Sequence, residues 1–414
     1  MRVLTRSGPF RVHHEPMDTI EQRPVSSDHY RWLRRELADW QTDGIVDATT
    51  AEAITARYLE VGDRQRRFTL GRLLLLLGAA FVGVGLIWLV AANLDQLPPL
   101  LRFLAVATIW LALISAAELL RVSGAVRGSL RLMATLAFGA VIFQAAQSLQ
   151  VSAYSPALIG LWAAGALAHA YGFRALMPLV VGVLTGVVWW IWQPLWDDGS
   201  IAGAVVGFGT AGVAAISLAV IHDRGLTRFG QVWRTVGALL GMVGLFIAAV
   251  PYTTTDGFEW NGWLLVALVV AAVTAAGALV VARGRARLEP LVAIGVLVVA
   301  GLMVLWDTGT DASQVDLADW AHAAAGVIAF VVLAVALVAI GTLRDNPVLT
   351  VIAMTGLVVF TTFQSFSVFA AIVEGAWLFL ILGLVFLATG FLFDRARREI
   401  AASLEDTDQQ GARQ

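Results

Sequence analysis

The sequence predicts an all-α membrane protein, a polytopic bundle of about 12 transmembrane helices behind a small N-terminal helical hairpin. Of its 414 residues, 58% are hydrophobic and only 14% are charged, whereas a soluble domain carries about 25% charged residues. Between Leu70 and Phe393 the chain divides into apolar segments of the roughly 20 residues that a helix needs to cross a bilayer. The 28 basic residues are all arginine, and they cluster in alternate connections between these segments.

Two short helices are predicted before the first apolar segment. Apolar residues recur at helical spacing from Asp28 to Gln41. A second helix is predicted to start at Thr49, with Glu52 completing a capping box and Tyr58 on its apolar stripe. The predicted organisation is a flexible tail (1–27), a cytoplasmic helical hairpin (28–63), a transmembrane helical domain (70–393) and a cytoplasmic tail (394–414).

Each predicted span is one of the apolar segments, bounded by charged or turn-forming residues. The twelve spans are 70–92, 102–120, 130–150, 155–172, 175–193, 200–221, 235–251, 262–282, 288–306, 321–343, 347–369 and 376–393.

The arginines predict which way these spans run. All except Arg102 lie before the first span, in the even connections, in the C-terminal tail or at the span ends that adjoin these segments, whereas the odd connections and their flanks hold ten acidic residues. Loops rich in arginine stay on the cytoplasmic side. The use of arginine without lysine, with abundant Ala, Val and Gly, indicates a GC-rich bacterial genome. The protein is therefore predicted to be a multi-pass protein of the bacterial inner membrane with both termini in the cytoplasm. Ten of the fifteen tryptophans fall at the opposite ends of the spans, as expected for a headgroup belt.

Few polar residues lie at membrane depth, and those few are the candidate functional residues. Glu118 is predicted to pair with Arg121 one helical turn later. A set of neutral residues in the third and eleventh spans either forms hydrogen bonds between helices or lines a polar cavity open to the outside. This set is Gln144, Gln147, Gln150, Thr361, Gln364 and Ser365.

The remaining motifs predict packing and turns. Gly237 and Gly241 form a GxxxG step that favours close helix packing. Asp223, Arg224 and Gly225 are interpreted as a turn. The sequence shows no catalytic triad, metalloprotease motif or phosphate-binding loop, and no acid spacing typical of a metal site. No cofactor, metal, nucleic-acid partner or enzymatic activity is therefore predicted.

Several short motifs resemble the bacterial membrane family called domain of unknown function 2157. They are the stretch from Leu37 to Ile45, Tyr58, the loop with Asn93, Asp95, Pro98 and Pro99, Ala146-Gln147, and Leu161 to Ala163. Leu94 and Leu149 stand where the family usually has Trp and Tyr. The resemblance covers about residues 30–195 and implies the same membrane architecture, with no implied activity.

Two functions are predicted from different classes. In the first, the protein binds or transports a small solute or a lipid, because the third and eleventh spans carry polar faces. In the second, it is a non-transporting scaffold or sensor whose cytoplasmic hairpin meets a partner protein or anionic headgroups. Membrane lipids are partners in both hypotheses, and the protein partner is not specified.

Overall fold

The structure is a computed structural model that divides into two compact units, Met1–Leu74 and Leu75–Gln414. The described residues are 23–61, 70–93, 98–152, 155–196, 199–250, 259–306 and 317–369, together with 383, 384, 387 and 395.

The first unit contains helices α1 (Ser27–Thr42) and α2 (Ala48–Ala56), flanked by strands β1 (Arg23–Ser26) and β2 (Tyr58–Val61). The two strands pair in parallel, an arrangement that the sequence pattern did not predict. Tyr58 was predicted to lie on the second helix, but it begins β2, because α2 ends at Ala56.

The start of α2 also differs from the prediction. Asp47, not Thr49, is the N-cap residue, and its side chain accepts a hydrogen bond of 2.7 Å from the Thr50 backbone N–H. The hydrogen bonds that the Asp47 carboxylate accepts from Thr50 lower its pKa below the usual value. The predicted capping box was therefore placed two residues too late.

The described residues from Leu70 to Phe369 fold mainly into long helices. In chain order they are α3 (Leu70–Asn93), α4 (Pro99–Leu119), α5 (Gly124–Ser148), α6 (Pro156–Phe173), α7 (Leu176–Leu195), α8 (Ile201–His222), α9 (Thr227–Ala249), α10 (Gly262–Val281), α11 (Leu288–Leu305), α12 (Leu317–Leu343) and α13 (Pro347–Phe369). A short 3₁₀ helix, Gly284–Arg287, precedes α11.

The all-α class is confirmed, and the first eleven predicted spans each coincide with one helix from α3 to α13. Among the described residues, nine helices are long and apolar enough to cross a membrane, and α3 adds a shorter apolar stretch, Leu73–Gly85. At about 1.5 Å per residue, the 18 residues of α6 are also close to the thickness of a hydrocarbon core. The twelfth predicted span, 376–393, lies largely outside the described residues.

Glycines bring α8 and α9 into close contact, as the GxxxG step predicted. A Cβ atom at Gly212 would lie 3.2 Å from the Gly241 backbone nitrogen, and one at Gly237 would lie 2.9 Å from the Ile216 backbone nitrogen. Beside this pair, α12 and α13 contribute to the largest buried apolar cluster, in which the rings of Phe330 and Phe360 stack at 4.2 Å. The helices that form this cluster are therefore joined by tightly packed apolar side chains.

Candidate functional site: polar clusters at the arginine-rich end

Several polar contacts between helices lie at the end of the second unit where the arginine-containing connections lie, here called the arginine-rich end. Three clusters occur there, and each joins helices that are distant in the sequence. The connections that define this end are 120–123, 174–175, 223–226, 282–287 and 344–346.

The first cluster joins α4, α5 and α6 through Glu118. Arg131 donates to both Glu118 carboxylate oxygens, from Nε at 2.7 Å and from Nη2 at 2.6 Å. His169 Nε2 lies 3.1 Å from Glu118 Oε1. The prediction that Glu118 pairs with Arg121 was wrong. Helix α4 ends at Leu119, and the extended backbone of Leu120 removes the helical i,i+3 geometry.

The second cluster joins α6, α8 and α9 through the Tyr171 hydroxyl. His222 Nδ1 lies 2.5 Å from the carbonyl oxygen of Leu218. Since that oxygen can only accept, Nδ1 carries a proton. The Tyr171 hydroxyl lies 3.0 Å from His222 Nε2 and accepts a hydrogen bond from Trp233 Nε1 at 3.1 Å.

The third cluster is a closed ring of alternating charges, here called the ionic ring, formed by Asp223, Arg234, Glu289 and Arg344. Arg234 donates from Nη2 to Asp223 Oδ2 at 2.6 Å and from Nε to Glu289 Oε2 at 2.7 Å. Arg344 completes the ring, with Nη1 3.2 Å from Asp223 Oδ2 and with Nε donating to Glu289 Oε1 at 2.5 Å. The ring ties together the ends of α8, α9, α11 and α12.

Sequence reasoning missed this ring. The side chains of Arg234 and Glu289 are only 3% and 4% exposed, although Arg234 was interpreted as a loop arginine and Glu289 was not considered. Burial of such a pair is tolerated because each charge meets two opposite charges. The sequence did carry one signal of a charged contact at Glu289. This acid lies in the first turn of α11, directly after a segment with three arginines in five residues.

Next to the ionic ring lies an open cavity of about 270 Å³, here called the arginine cleft. Its charged lining residues are Asp223, Arg224, Arg283 and Arg344. Its apolar lining residues are Val220, Val281, Ala282 and Ala286. Arg224 Nη2 donates to the Val281 carbonyl oxygen at 2.6 Å, so this guanidinium is held at the cleft.

The structure separates the glutamines of the predicted polar cavity. Gln144 is buried and Gln147 is exposed on α5, whereas Gln150 follows the end of that helix with a φ of 55°. The N–H groups of Gln150 and Val151 bond back to the Gln147 and Ala146 carbonyls, a Schellman motif that terminates the helix. Gln150 therefore does not share a helical face with the other two.

The residues predicted on the eleventh span lie on α13. Thr361 is buried and its hydroxyl donates to the Leu357 carbonyl oxygen of its own helix at 2.6 Å, and Gln364 is also buried. Ser365 belongs to α13, but its side chain lies outside the described structure. α13 packs mainly on α12 and α9, whereas α5 packs mainly on α4, α6 and α7. The two polar sets thus belong to different helix groups, and the shared cavity stays a prediction.

The loop that carried the family resemblance is partly described. Asn93 is the last residue of α3, and Asp95 lies outside the described residues. Pro98 caps α4 and Pro99 is its first residue, a position where the missing N–H of proline is harmless. Within the described part of the chain, no group of three or more acidic, histidine or cysteine side chains is arranged to hold a metal ion.

These features define the class of the molecule, a multi-pass helical membrane protein. Residues 38–179, about a third of the chain, match the model of a family described as "Predicted membrane protein (DUF2157)". This match confirms the resemblance that the short motifs indicated. No curated protein and no solved structure matches the chain.

Proposed function

We propose that this membrane protein binds a lipid with an anionic, phosphate-bearing headgroup in the arginine cleft, within the cytoplasmic leaflet of a bacterial inner membrane. The observation that carries the proposal is an open cleft lined by three arginines at the end of a helix bundle. Basic pockets between transmembrane helices are typical sites for anionic headgroups on the cytoplasmic side. The positive-inside rule supports that orientation, with both termini in the cytoplasm.

The charge balance of the cleft favours an anion. In the ionic ring, the negative charges of two acids balance the positive charges of two arginines. Arg224 and Arg283 are then in excess, and neither forms an ion pair with any described residue. The guanidinium presents several N–H donors in a planar fork that matches phosphate oxygens. The cleft therefore offers two positive charges of suitable geometry.

The apolar half of the lining favours a lipid over a soluble anion. Val220, Val281, Ala282 and Ala286 present only hydrocarbon side chains, which suit the glycerol and first methylene groups of a lipid. The cleft is open, and in this proposal the acyl chains extend from it into the bilayer. Transport of a small solute has weaker support, because the polar residues predicted for a cavity lie in two helix groups. No catalytic step is proposed.

The experiment is a lipid titration of the detergent-purified protein, followed by thermal unfolding. We expect dioleoyl phosphatidylglycerol, but not dioleoyl phosphatidylcholine, to raise Tm. At roughly 1 kcal/mol per arginine near a headgroup, replacing Arg224 and Arg283 together by Gln should weaken the lipid affinity about 25-fold. The matched control is Arg228→Gln, an exposed arginine of the same end that does not line the cleft. An equal loss in the control and the double variant would contradict the proposal.

A further inference from the structure

Asp223 places a carboxylate inside a cleft that is otherwise suited to anions. Its Oδ2 accepts from Arg234 at 2.6 Å and contacts Arg344 Nη1 at 3.2 Å, so both arginines use the same oxygen. The other oxygen, Oδ1, accepts no hydrogen bond from any described residue. The Asp223 side chain is 23% exposed, so a ligand in the cleft can reach it.

The position of Oδ1 is fixed from two sides. The ionic ring holds the carboxylate through Oδ2, and Gly230 of α9 lies directly against Oδ1. A Cβ atom at Gly230 would come within 2.9 Å of that oxygen and 3.0 Å of the Ala219 carbonyl oxygen. The ring and the backbone of α9 restrict the movement of this carboxylate, so Oδ1 is a preorganised acceptor on a residue that lines the cleft.

We infer that the arginine cleft selects a headgroup with a hydroxyl group close to its phosphate, and that Asp223 Oδ1 accepts the hydrogen bond from this hydroxyl. The inference rests on the proposed function, in which Arg224 and Arg283 bind the phosphate. The ligand class is a phosphodiester of a polyol, of which phosphatidylglycerol is the simplest lipid example. Asp223 is then the residue that determines headgroup specificity.

A hydroxyl donor fits this site better than an ammonium donor. The charge of Asp223 is already balanced by two guanidinium groups, and the cleft has a surplus of positive charge. A second cation would be repelled by Arg224 and Arg283, whereas a neutral hydroxyl can donate to a charged acceptor at no such cost. The cleft should therefore favour a polyol headgroup over an ethanolamine headgroup.

The test compares two lipids of equal charge and nearly equal size, dioleoyl phosphatidylglycerol and dioleoyl phosphatidylpropanol, which lacks the two hydroxyls. A hydrogen bond to a charged acceptor corresponds to about tenfold in affinity. We expect the full-length protein to bind phosphatidylglycerol about tenfold more tightly than phosphatidylpropanol. In Asp223→Ala this ratio should fall to about one. Arg283→Gln should weaken the binding of both lipids equally and leave the ratio of their affinities unchanged.

The outcomes separate this inference from the proposed function. Equal binding of the two lipids by the wild type, or a ratio that survives Asp223→Ala, overturns the role of Asp223 while anionic lipid binding still stands. If the protein binds neither lipid more tightly than phosphatidylcholine, both proposals are overturned. Tighter binding of phosphatidylethanolamine than phosphatidylglycerol overturns the hydroxyl assignment. If Asp223→Ala does not fold, Asp223→Asn serves, since its neutral oxygen is a weaker acceptor and must lower the ratio.

Discussion

At the scale of single residues, the charged side chains of the arginine-rich end pair across helices and not along them. Glu118 illustrates this, because its partners come from α5 and α6 although Arg121 is closer in sequence. The three side chains of this cluster are mostly buried. When a buried charge loses its partner, the free-energy cost of removing it from water is no longer compensated by the ion pair. The cluster should therefore contribute to stability only as a complete set.

Replacing Glu118 by Gln tests this pairing. The variant leaves the Arg131 guanidinium partly buried without a carboxylate, so we expect a loss of about 2–4 kcal/mol in stability. The measurement is thermal unfolding of the purified protein in detergent, where Tm should fall clearly. Arg121→Gln is the matched control, since Arg121 is exposed, and its Tm should stay within about a degree. A larger fall in Tm for Arg121→Gln than for Glu118→Gln would instead support the pairing of Glu118 with Arg121.

At the scale of elements, the packing of α8 on α9 depends on glycines. The nearest neighbours of a Cβ atom at Gly212 are backbone atoms of α9, and those at Gly237 include the Ile216 backbone nitrogen of α8; such atoms cannot shift without moving the helix. Small residues let helix backbones approach closely in a membrane, where van der Waals packing is a main source of association. The ionic ring lies at one end of this same pair, so the close contact also positions Asp223 and Arg234.

Gly237→Ala should therefore separate α8 from α9. The added methyl group would lie 2.9 Å from both the Ile216 backbone nitrogen and its Cγ1, and we expect a loss of about 1–3 kcal/mol. Gly295→Ala in α11 is the control, because a Cβ there meets nothing within 4 Å and alanine is the better helix former by up to about 1 kcal/mol. Thermal unfolding of both variants decides the matter, and equal Tm values would argue against the close contact.

At the scale of the whole molecule, the distribution of charge predicts the orientation in the membrane. The connections of the arginine-rich end carry the loop arginines, and the proposed lipid site lies among them. Both features belong on the cytoplasmic side if the positive-inside rule applies. The orientation and the lipid site therefore depend on each other, and one topology experiment bears on both.

Single cysteines report this orientation cleanly, since the chain contains no cysteine of its own. Ser152→Cys lies in the exposed connection between α5 and α6, and Gly225→Cys lies in the exposed turn between α8 and α9. We expect a membrane-impermeant maleimide to label Ser152→Cys in intact cells and Gly225→Cys only after the membrane is opened. Labelling in the opposite order would reverse the predicted topology and place the arginine cleft outside the cytoplasm.

Much of the architecture was predictable because it depends on local properties of the chain. An apolar segment of about 20 residues forms a membrane helix wherever it occurs, so the first eleven spans were each located on one helix, although α5 and α9 begin six and eight residues before the predicted span. The Gly237-Gly241 step was likewise visible, because its spacing within one helix is sufficient to predict close packing. Tyr58 was misplaced because a four-residue strand depends on a distant partner, here Arg23–Ser26.

The sequence by itself determined the class of the protein, the course of its helices and the separation of charge between their two ends. Only the tertiary structure decided which charges meet. Asp223 and Glu289 share Arg234 and Arg344, although these residues come from four helices spread over more than a hundred positions. Hydropathy is a property of a segment alone, whereas an ion pair depends on which helices are neighbours and how each is rotated about its axis. That is why the ionic ring and the arginine cleft appeared only in the folded chain.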